Sequence, residues 1–111
     1  MIGLAMMAEV AAADVGHAQK AALETYQTCV RKNAKEFRKA DLSGDQPVIV
    51  VYAAAYTCSV DRSNLIERTK LFLRSRHPEL TTGSLGKVTA MSIEKQDSEL
   101  EHQVVTELGQ K

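Results

Sequence analysis

Cys29 and Cys58 are the only two cysteines of the chain, and they lie almost equally far from the turn-forming sequence of residues 41–45. An antiparallel hairpin that turns at Ser43 and Gly44 brings together positions whose numbers sum to about 87, and the two cysteines meet this condition. The spacing therefore predicts a structural disulfide, which closes a loop long enough to stabilise a small domain appreciably. Two buried free thiols, or a reactive or metal-binding pair, are the alternatives; no further ligand set supports the latter.

Arg62 is the second residue whose position could carry chemistry, because it projects from the middle of an apolar helical stripe. Such an arginine usually lays its aliphatic stem over the core and extends its guanidinium to a hydroxyl or a carboxylate. Tyr26 is the candidate partner. We expect a structural contact here, with contact to a ligand as the alternative.

The remaining nucleophiles and metal-ligating residue types are dispersed along the sequence. The histidines have no second residue at metal-ligand spacing, and the hydroxyl residues around Cys58 lack a nucleophile-elbow or lysine-dyad context. We therefore predict no enzyme, no metal site and no cofactor. The residues in question are His17, His77, His102, Thr57, Ser59 and Ser63.

Two long helices must position these residues. From Ala18 to Ala40 apolar residues recur at three- and four-residue steps, which is the period of one helical face, and the charged residues fall on the opposite side. Asp45 and Pro47 form a helix-start signature, and a second helical pattern runs from there to His77 and Pro78. This second helix is predicted to be either continuous over roughly 30 residues or kinked near Ser59. The stripe of the first helix is Leu23, Tyr26, Val30, Ala34 and Phe37.

The sequence after Pro78 is less regular. Residues 80–86 contain two glycines and three hydroxyl residues, which is typical of a loop and of a hinge. A third helix is indicated beyond it, although Lys95 and Asp97 interrupt its apolar stripe of Val88, Met91, Leu100, Val104 and Leu108. An extended segment from Val88 to Ile93 and a partly disordered tail are the alternatives. The predicted fold is all-α: an antiparallel helical hairpin with one disulfide and a shorter third helix. The alternative is an α+β fold with a short strand at 48–52 or 87–93.

The segment from Gln46 to Val60 carries no charge, and a helix that is apolar on all sides must be covered on several of them. We expect the third helix to dock there, with Val104 and Leu108 covering Val50 and Tyr56. If it does not, another chain covers this surface. The predicted interaction surface comprises Val50, Ala53, Tyr56 and Val60.

Basic residues are concentrated in residues 31–39 and 62–76, which hold ten of the fourteen lysines and arginines. The hairpin places these two clusters at opposite ends, and both lie near helix C-termini, where cations are expected for dipole reasons. We interpret them as solvated faces, with polyanion binding as the alternative. The candidate polyanion contacts are Arg31, Lys35, Arg38, Lys39, Arg68, Lys70, Arg74 and Arg76.

Residues 1–18 form an apolar N-terminal segment ahead of a single small helical domain at 19–111. Two cleavage-like sites, at 11–13 and 16–18, make the segment a candidate signal-peptide remnant, but no lysine or arginine precedes Lys20. The first turns of a helix are the alternative. No segment approaches the roughly 20 apolar residues of a membrane span.

The stretch from Tyr26 to Leu65 resembles small secreted proteins of Gram-negative bacteria, over about a third of the chain. The shared features are Tyr-x-x-Cys, a basic helix, a Gly/Asp turn, a proline, an alanine-rich helix and Ala-x-x-x-Cys-x-x-x-Arg. The resemblance implies a disulfide and export, and it transfers no activity.

These observations predict a non-enzymatic structural or protein-interaction module, periplasmic or secreted, that binds a protein partner or forms a homodimer. The alternative is a small cytoplasmic or phage-type regulatory protein that binds nucleic acid or a host protein through its basic faces. The net charge of zero argues against nucleic acid. The cellular compartment distinguishes the exported module from the cytoplasmic regulatory protein, because disulfides persist in oxidising environments.

Overall fold

The computed structural model describes residues 2–40 and 46–109, with side chains from Asp14 onward. These residues form four helices: α1 (Ile2–Lys39), α2 (Pro47–Thr57), α3 (Ser59–Arg76) and α4 (Thr82–Gly109). The all-α prediction is confirmed. The two strand alternatives are wrong, because residues 48–52 lie in α2 and residues 87–93 in α4. Asp45, the predicted cap of the second helix, lies outside the described residues.

The first helix buries the face that its periodicity predicts. Tyr26, Val30 and Ala34 are buried, and Leu23 and Phe37 pack against the same core while remaining half-buried. The helix is longer than the predicted Ala18–Ala40, since its backbone is helical from Ile2. The backbone of residues 2–17 is therefore continuous with the helix of the hairpin.

The second helical pattern is interrupted at Cys58, close to the predicted kink at Ser59. The backbone of Cys58 leaves helical geometry, at φ −95° and ψ 24°, and its N–H donates to the carbonyls of both Ala54 and Ala55 at 3.1 Å. Pro47 occupies the first turn of α2, where its missing N–H costs no hydrogen bond. The buried side chains of α2 and α3 are Val50, Val51, Ala54, Cys58, Leu65 and Thr69.

The segment predicted as a loop at 80–86 is mostly helical, because α4 begins at Thr82. The hydroxyl of Thr81 accepts a hydrogen bond from the backbone N–H of Ser84 at 3.1 Å, which is the geometry of a helix N-cap. Capping by Thr81 thus determines the start of the helix in spite of Gly83 and Gly86. The predicted loop is correct for Leu80 and Thr81 and wrong for residues 82–86, which are helical.

The buried face of α4 also differs from the apolar stripe that the sequence predicts for this helix. Val88 and Met91 are 37% and 67% exposed, so they do not belong to the buried face. The buried face follows a nearly uniform step of four residues, and Asp97 occupies one position of it. Its buried members are Leu85, Thr89, Ile93, Leu100, Val104 and Leu108.

The helices form an elongated bundle in which α1, the α2–α3 element and α4 contact one another. α1 packs along both α2 and α3, and α4 packs back along α3 and α2. Gly16 faces the ring of Phe72, and Cys29 is bonded to Cys58, so the antiparallel register predicted for the hairpin holds along its length. Contacts of Tyr26 with Asp97 and of Arg31 with Gln103 show that α4 runs parallel to α1.

Candidate functional site

A polar cluster of Tyr26, Arg62 and Asp97 lies at the centre of the bundle and joins α1, α3 and α4. The hydroxyl of Tyr26 donates to Asp97 Oδ1 at 2.8 Å. Arg62 donates from Nε and Nη2 to Asp97 Oδ2, at 3.1 and 2.8 Å. Each oxygen of the carboxylate therefore has a partner on a different helix.

The sequence predicted that Arg62 would reach a hydroxyl or a carboxylate, and the hydrogen-bond partner is the carboxylate of Asp97. Tyr26, the candidate partner, belongs to the same cluster because it donates to the other oxygen of Asp97. The sequence pattern gives no role to Asp97, which interrupts an apolar stripe. The signal that could have identified Asp97 is its position one helical turn before Leu100, which places both residues on one face of the helix.

The electrostatics of the cluster favour a structural role. Burial raises the pKa of Tyr26, and the Asp97 carboxylate raises it further by hydrogen bonding and by charge. The hydrogen bond to Asp97 also raises the pKa of Arg62. The phenol therefore remains a protonated donor and the guanidinium a cation across the physiological range, so neither group is suited to accept a proton in catalysis.

A cleft of about 140 Å³ opens beside the polar cluster. Its floor is apolar, with Val30, Val51 and Leu100 among its lining residues, and Tyr52 and Glu101 line it as well. The cluster thus lies below a cleft between α2 and α4, within reach of the exposed face of α2.

The disulfide is confirmed. Cys29 and Cys58 are bonded, with their Cα atoms 6.1 Å apart. The side-chain amide of Asn33 lies over the pair and donates to the carbonyl oxygen of Cys29 at 2.9 Å. The bond joins α1 to the junction of α2 and α3, one helical turn from Tyr26 and Arg62.

Only part of the predicted interaction surface is exposed in the structure. Val50 is buried in the same core cluster as Val104 and Leu108, so it offers no surface to a partner. Ala53 is half-buried, whereas Tyr56 and Val60 are 84% and 80% exposed. The predicted third helix, which is α4 in the structure, therefore covers Val50 as predicted but leaves Tyr56 uncovered.

Two exposed residues complete a surface that the prediction described only in part. Ile49 and Tyr52 are 50% and 60% exposed, and they continue the line of Tyr56 and Val60 at helical spacing. We refer to Ile49, Tyr52, Tyr56 and Val60 as the apolar stripe. Ile49, Tyr52 and Tyr56 lie on one face of α2, and Val60 lies just beyond the break at Cys58, in the first turn of α3.

The candidate polyanion contacts fall into two separate groups. Arg31, Lys35, Arg38 and Lys39 line a common cleft between the C-terminal ends of α1 and α4. The second group lies where α4 begins, at the other end of the bundle, and part of it is engaged within the chain. Arg74 donates to the Leu80 carbonyl at 2.8 Å, and Arg76 lies over the Phe72 ring, 5.3 Å from its centroid. Lys70 lines a groove between α3 and α4. Arg68 is exposed.

Within the described ranges 2–40 and 46–109, no group of three or more His, Cys, Asp or Glu residues is placed to hold a metal ion. None of the helices in the described part of the chain has the length and apolar character needed to cross a membrane.

Comparisons with protein-family models, with curated proteins and with solved structures find no match to this chain. The resemblance to small secreted proteins of Gram-negative bacteria therefore stays a prediction.

Proposed function

We propose that the protein is a non-enzymatic, exported interaction module that pairs with a second copy of itself through the apolar stripe. The observation that carries the proposal is the exposure of four large apolar side chains in one line on a disulfide-braced helix. Contiguous exposed apolar side chains on a soluble domain commonly mark an interaction site.

The chemistry of the stripe suits protein recognition. Its two tyrosines combine a large apolar ring with a polar tip, and tyrosine is enriched at the centres of protein interfaces. The segment from Gln46 to Val60 carries no charged residue, so the face offers no ion pair to a charged partner. Its complement is another apolar and aromatic surface.

A second copy of the chain provides such a surface because the stripe is nearly palindromic. Read in either direction, an aliphatic residue is followed by two tyrosines and another aliphatic residue. A two-fold axis between Tyr52 and Tyr56 would place Ile49 opposite the partner's Val60, and Tyr52 opposite the partner's Tyr56. The half-buried Ala53 near this axis leaves room for the two helices to approach.

Charge also favours self-association at this face. Pairing two copies of a surface that carries one sign of charge incurs repulsion, whereas pairing two copies of an uncharged stripe does not. The stripe is only about 16 Å long at 1.5 Å per residue, so the interface is small. We therefore expect a micromolar rather than a nanomolar dimer.

Export is supported by the disulfide, since such bonds persist in oxidising compartments and are rare in the cytosol. A non-enzymatic role is supported by the polar cluster, whose members satisfy one another as hydrogen-bond partners. The alternative of nucleic-acid binding through the basic faces has weaker support, because the candidate cations lie at opposite ends of the bundle.

Sedimentation equilibrium of the oxidised protein tests the proposal. The wild-type protein should show a concentration-dependent monomer–dimer equilibrium, and a Tyr52→Ser/Tyr56→Ser variant should remain monomeric. The matched control is Leu71→Ser/Met91→Ser, which removes two exposed apolar side chains outside the stripe. A wild-type protein that is monomeric up to millimolar concentration would refute the proposal, as would a control variant that loses the dimer equally.

A further inference from the structure

We infer that the cleft between the C-terminal ends of α1 and α4 is a binding site for a small amphiphilic anion, namely a carboxylate with a short alkyl chain. The cleft is lined by Arg31, Lys35, Arg38, Lys39, Val104, Glu107 and Leu108. This inference goes beyond the proposed function and does not depend on it, because no residue of the apolar stripe lines this cleft.

The charge of the cleft favours an anion. Four cations of α1 line it, and among the described lining residues they are opposed by one carboxylate, that of Glu107, which lies 3.5 Å from Arg31 Nε. Arg31 also donates to the side-chain oxygen of Gln103 at 2.7 Å. Among the residues that the structure describes, no carboxylate lies within 4.0 Å of Lys35, Arg38 or Lys39.

The helix dipole does not account for this arrangement. A dipole favours cations within the last turn of a helix, where Arg38 and Lys39 lie. Lys35 and Arg31 are one and two turns further back, and they follow the i, i+4 spacing that places side chains on one face. The row of cations therefore extends along the whole length of the cleft.

The floor of the cleft favours an apolar group. Leu108 and Val104 lie at its base and are 6% and 1% exposed, so most of its accessible apolar surface must come from the aliphatic stems of the lining lysines and arginines. Water held between such surfaces makes few hydrogen bonds, so an alkyl chain that displaces it gains affinity. The anionic head group would then lie near Lys35 and Arg38, with its chain over Leu108.

The size of the cleft limits the length of this chain. Its volume is about 190 Å³, which is below the roughly 300–1,000 Å³ of pockets that enclose drug-sized ligands. A head group with a short alkyl chain fits this volume. A nucleic-acid strand suits it less well, because its phosphates would meet the carboxylate of Glu107 and an apolar floor.

Titration of the oxidised protein with octanoate, followed by backbone NMR chemical shifts, tests the inference. Octanoate should saturate shifts around Lys35 and Leu108, at concentrations at least tenfold below those needed for acetate or inorganic phosphate. The variant Lys35→Ala/Arg38→Ala should weaken octanoate binding at least tenfold. The matched control is Lys20→Ala/Lys32→Ala, which removes two exposed cations of the same helix that do not line the cleft.

Several outcomes would overturn the inference. Equal binding of octanoate and acetate would show that the apolar floor plays no part, and equal weakening by both double variants would show that only the net charge matters. A salt-sensitive complex with an oligonucleotide that requires Lys35 and Arg38, without octanoate binding, would assign the cleft to a polyanion instead. Leu108→Ala gives an independent check, since it should weaken octanoate but not phosphate.

Discussion

The hydroxyl of Tyr26 donates to Asp97 across 2.8 Å, although the two residues are 71 positions apart in the sequence. This hydrogen bond joins α1 to α4, and Arg62 joins α3 to the same carboxylate. The disulfide joins α1 to the α2–α3 junction but leaves α4 free. The carboxylate of Asp97 therefore fixes α4 to two helices of the hairpin, in addition to the hydrogen bond of Arg31 to Gln103.

Replacing Tyr26 with phenylalanine should destabilise the protein by about 1–2 kcal/mol. A hydrogen bond to a charged group contributes roughly 1.5–3 kcal/mol when buried, and the value is lower here because the Asp97 side chain is 30% exposed. The ring of Tyr26 is otherwise buried, so phenylalanine keeps its packing. Urea unfolding measures the change.

The control for this substitution is Tyr56→Phe, since Tyr56 is 84% exposed. Measured at protein concentrations below the expected dimer range, the control should leave the unfolding midpoint unchanged. Equal stability of Tyr26→Phe and the wild-type protein would show that the hydrogen bond between α1 and α4 contributes nothing net.

The same hydrogen bond predicts a loss of stability in alkali. Burial and Asp97 raise the pKa of Tyr26 in the folded protein above the ordinary tyrosine value of 10.0. The folded state therefore holds this proton more tightly than the unfolded chain. Its contribution is complete below about pH 10 and is lost as the pH rises toward the folded-state pKa, at up to about 1.4 kcal/mol per pH unit.

Urea unfolding of the wild-type protein and of Tyr26→Phe between about pH 9 and pH 11 tests this effect. The wild-type protein should lose stability more steeply, and the difference between the two proteins should narrow as the pH rises. A difference that stays constant over this range would show that Tyr26 titrates alike in the folded and unfolded states.

The hairpin could be predicted from the sequence because the signals that define it are either local or placed symmetrically about the turn. The helical period around Tyr26, the start signal at Pro47 and the placement of two cysteines about a turn together determine the register of α1 against the α2–α3 element. The end of the hairpin at Pro78 follows from the same kind of local signal.

The polar cluster and the start of α4 required information that a single helix does not carry. A charged residue such as Asp97 in an apolar stripe is either an interruption or a buried partner, and only the packing of three helices decides which. Likewise, the glycines after Leu80 suggested a loop, whereas one hydrogen bond to Thr81 suffices to start a helix there. The apolar stripe was predicted in part because the exposed side of α2 depends on where α4 packs.

Reduction of the disulfide should destabilise the protein by roughly 3–4 kcal/mol. The bond joins residues separated by 29 positions, and closing a loop of this length in the unfolded chain reduces its entropy by a corresponding amount on the chain-entropy model. Reduction changes no residue and breaks only the bond between the two sulfur atoms, so the measurement reports chiefly on the covalent link. Urea unfolding with and without a thiol reductant tests it, and identical midpoints would contradict the expectation.

Replacing Gly16 with alanine should stabilise the protein by about 0.5–1 kcal/mol. Gly16 lies in the interior of α1, where glycine is less favourable than alanine by about this amount. A Cβ atom there would lie 3.6 Å from Phe72 Cε1, which is an ordinary van der Waals contact. Thermal or urea unfolding measures the gain.

The matched control is Gly86→Ala in α4, where a Cβ atom meets nothing within 4 Å and only helix propensity acts. The two alanine variants should therefore gain similar stability. Gly16→Leu should lose stability, because its larger side chain must displace Phe72, whereas Gly86→Leu should be tolerated. If Gly16→Ala were destabilising while Gly86→Ala stabilised, α1 and α3 would approach each other more closely at Phe72 than the structure places them.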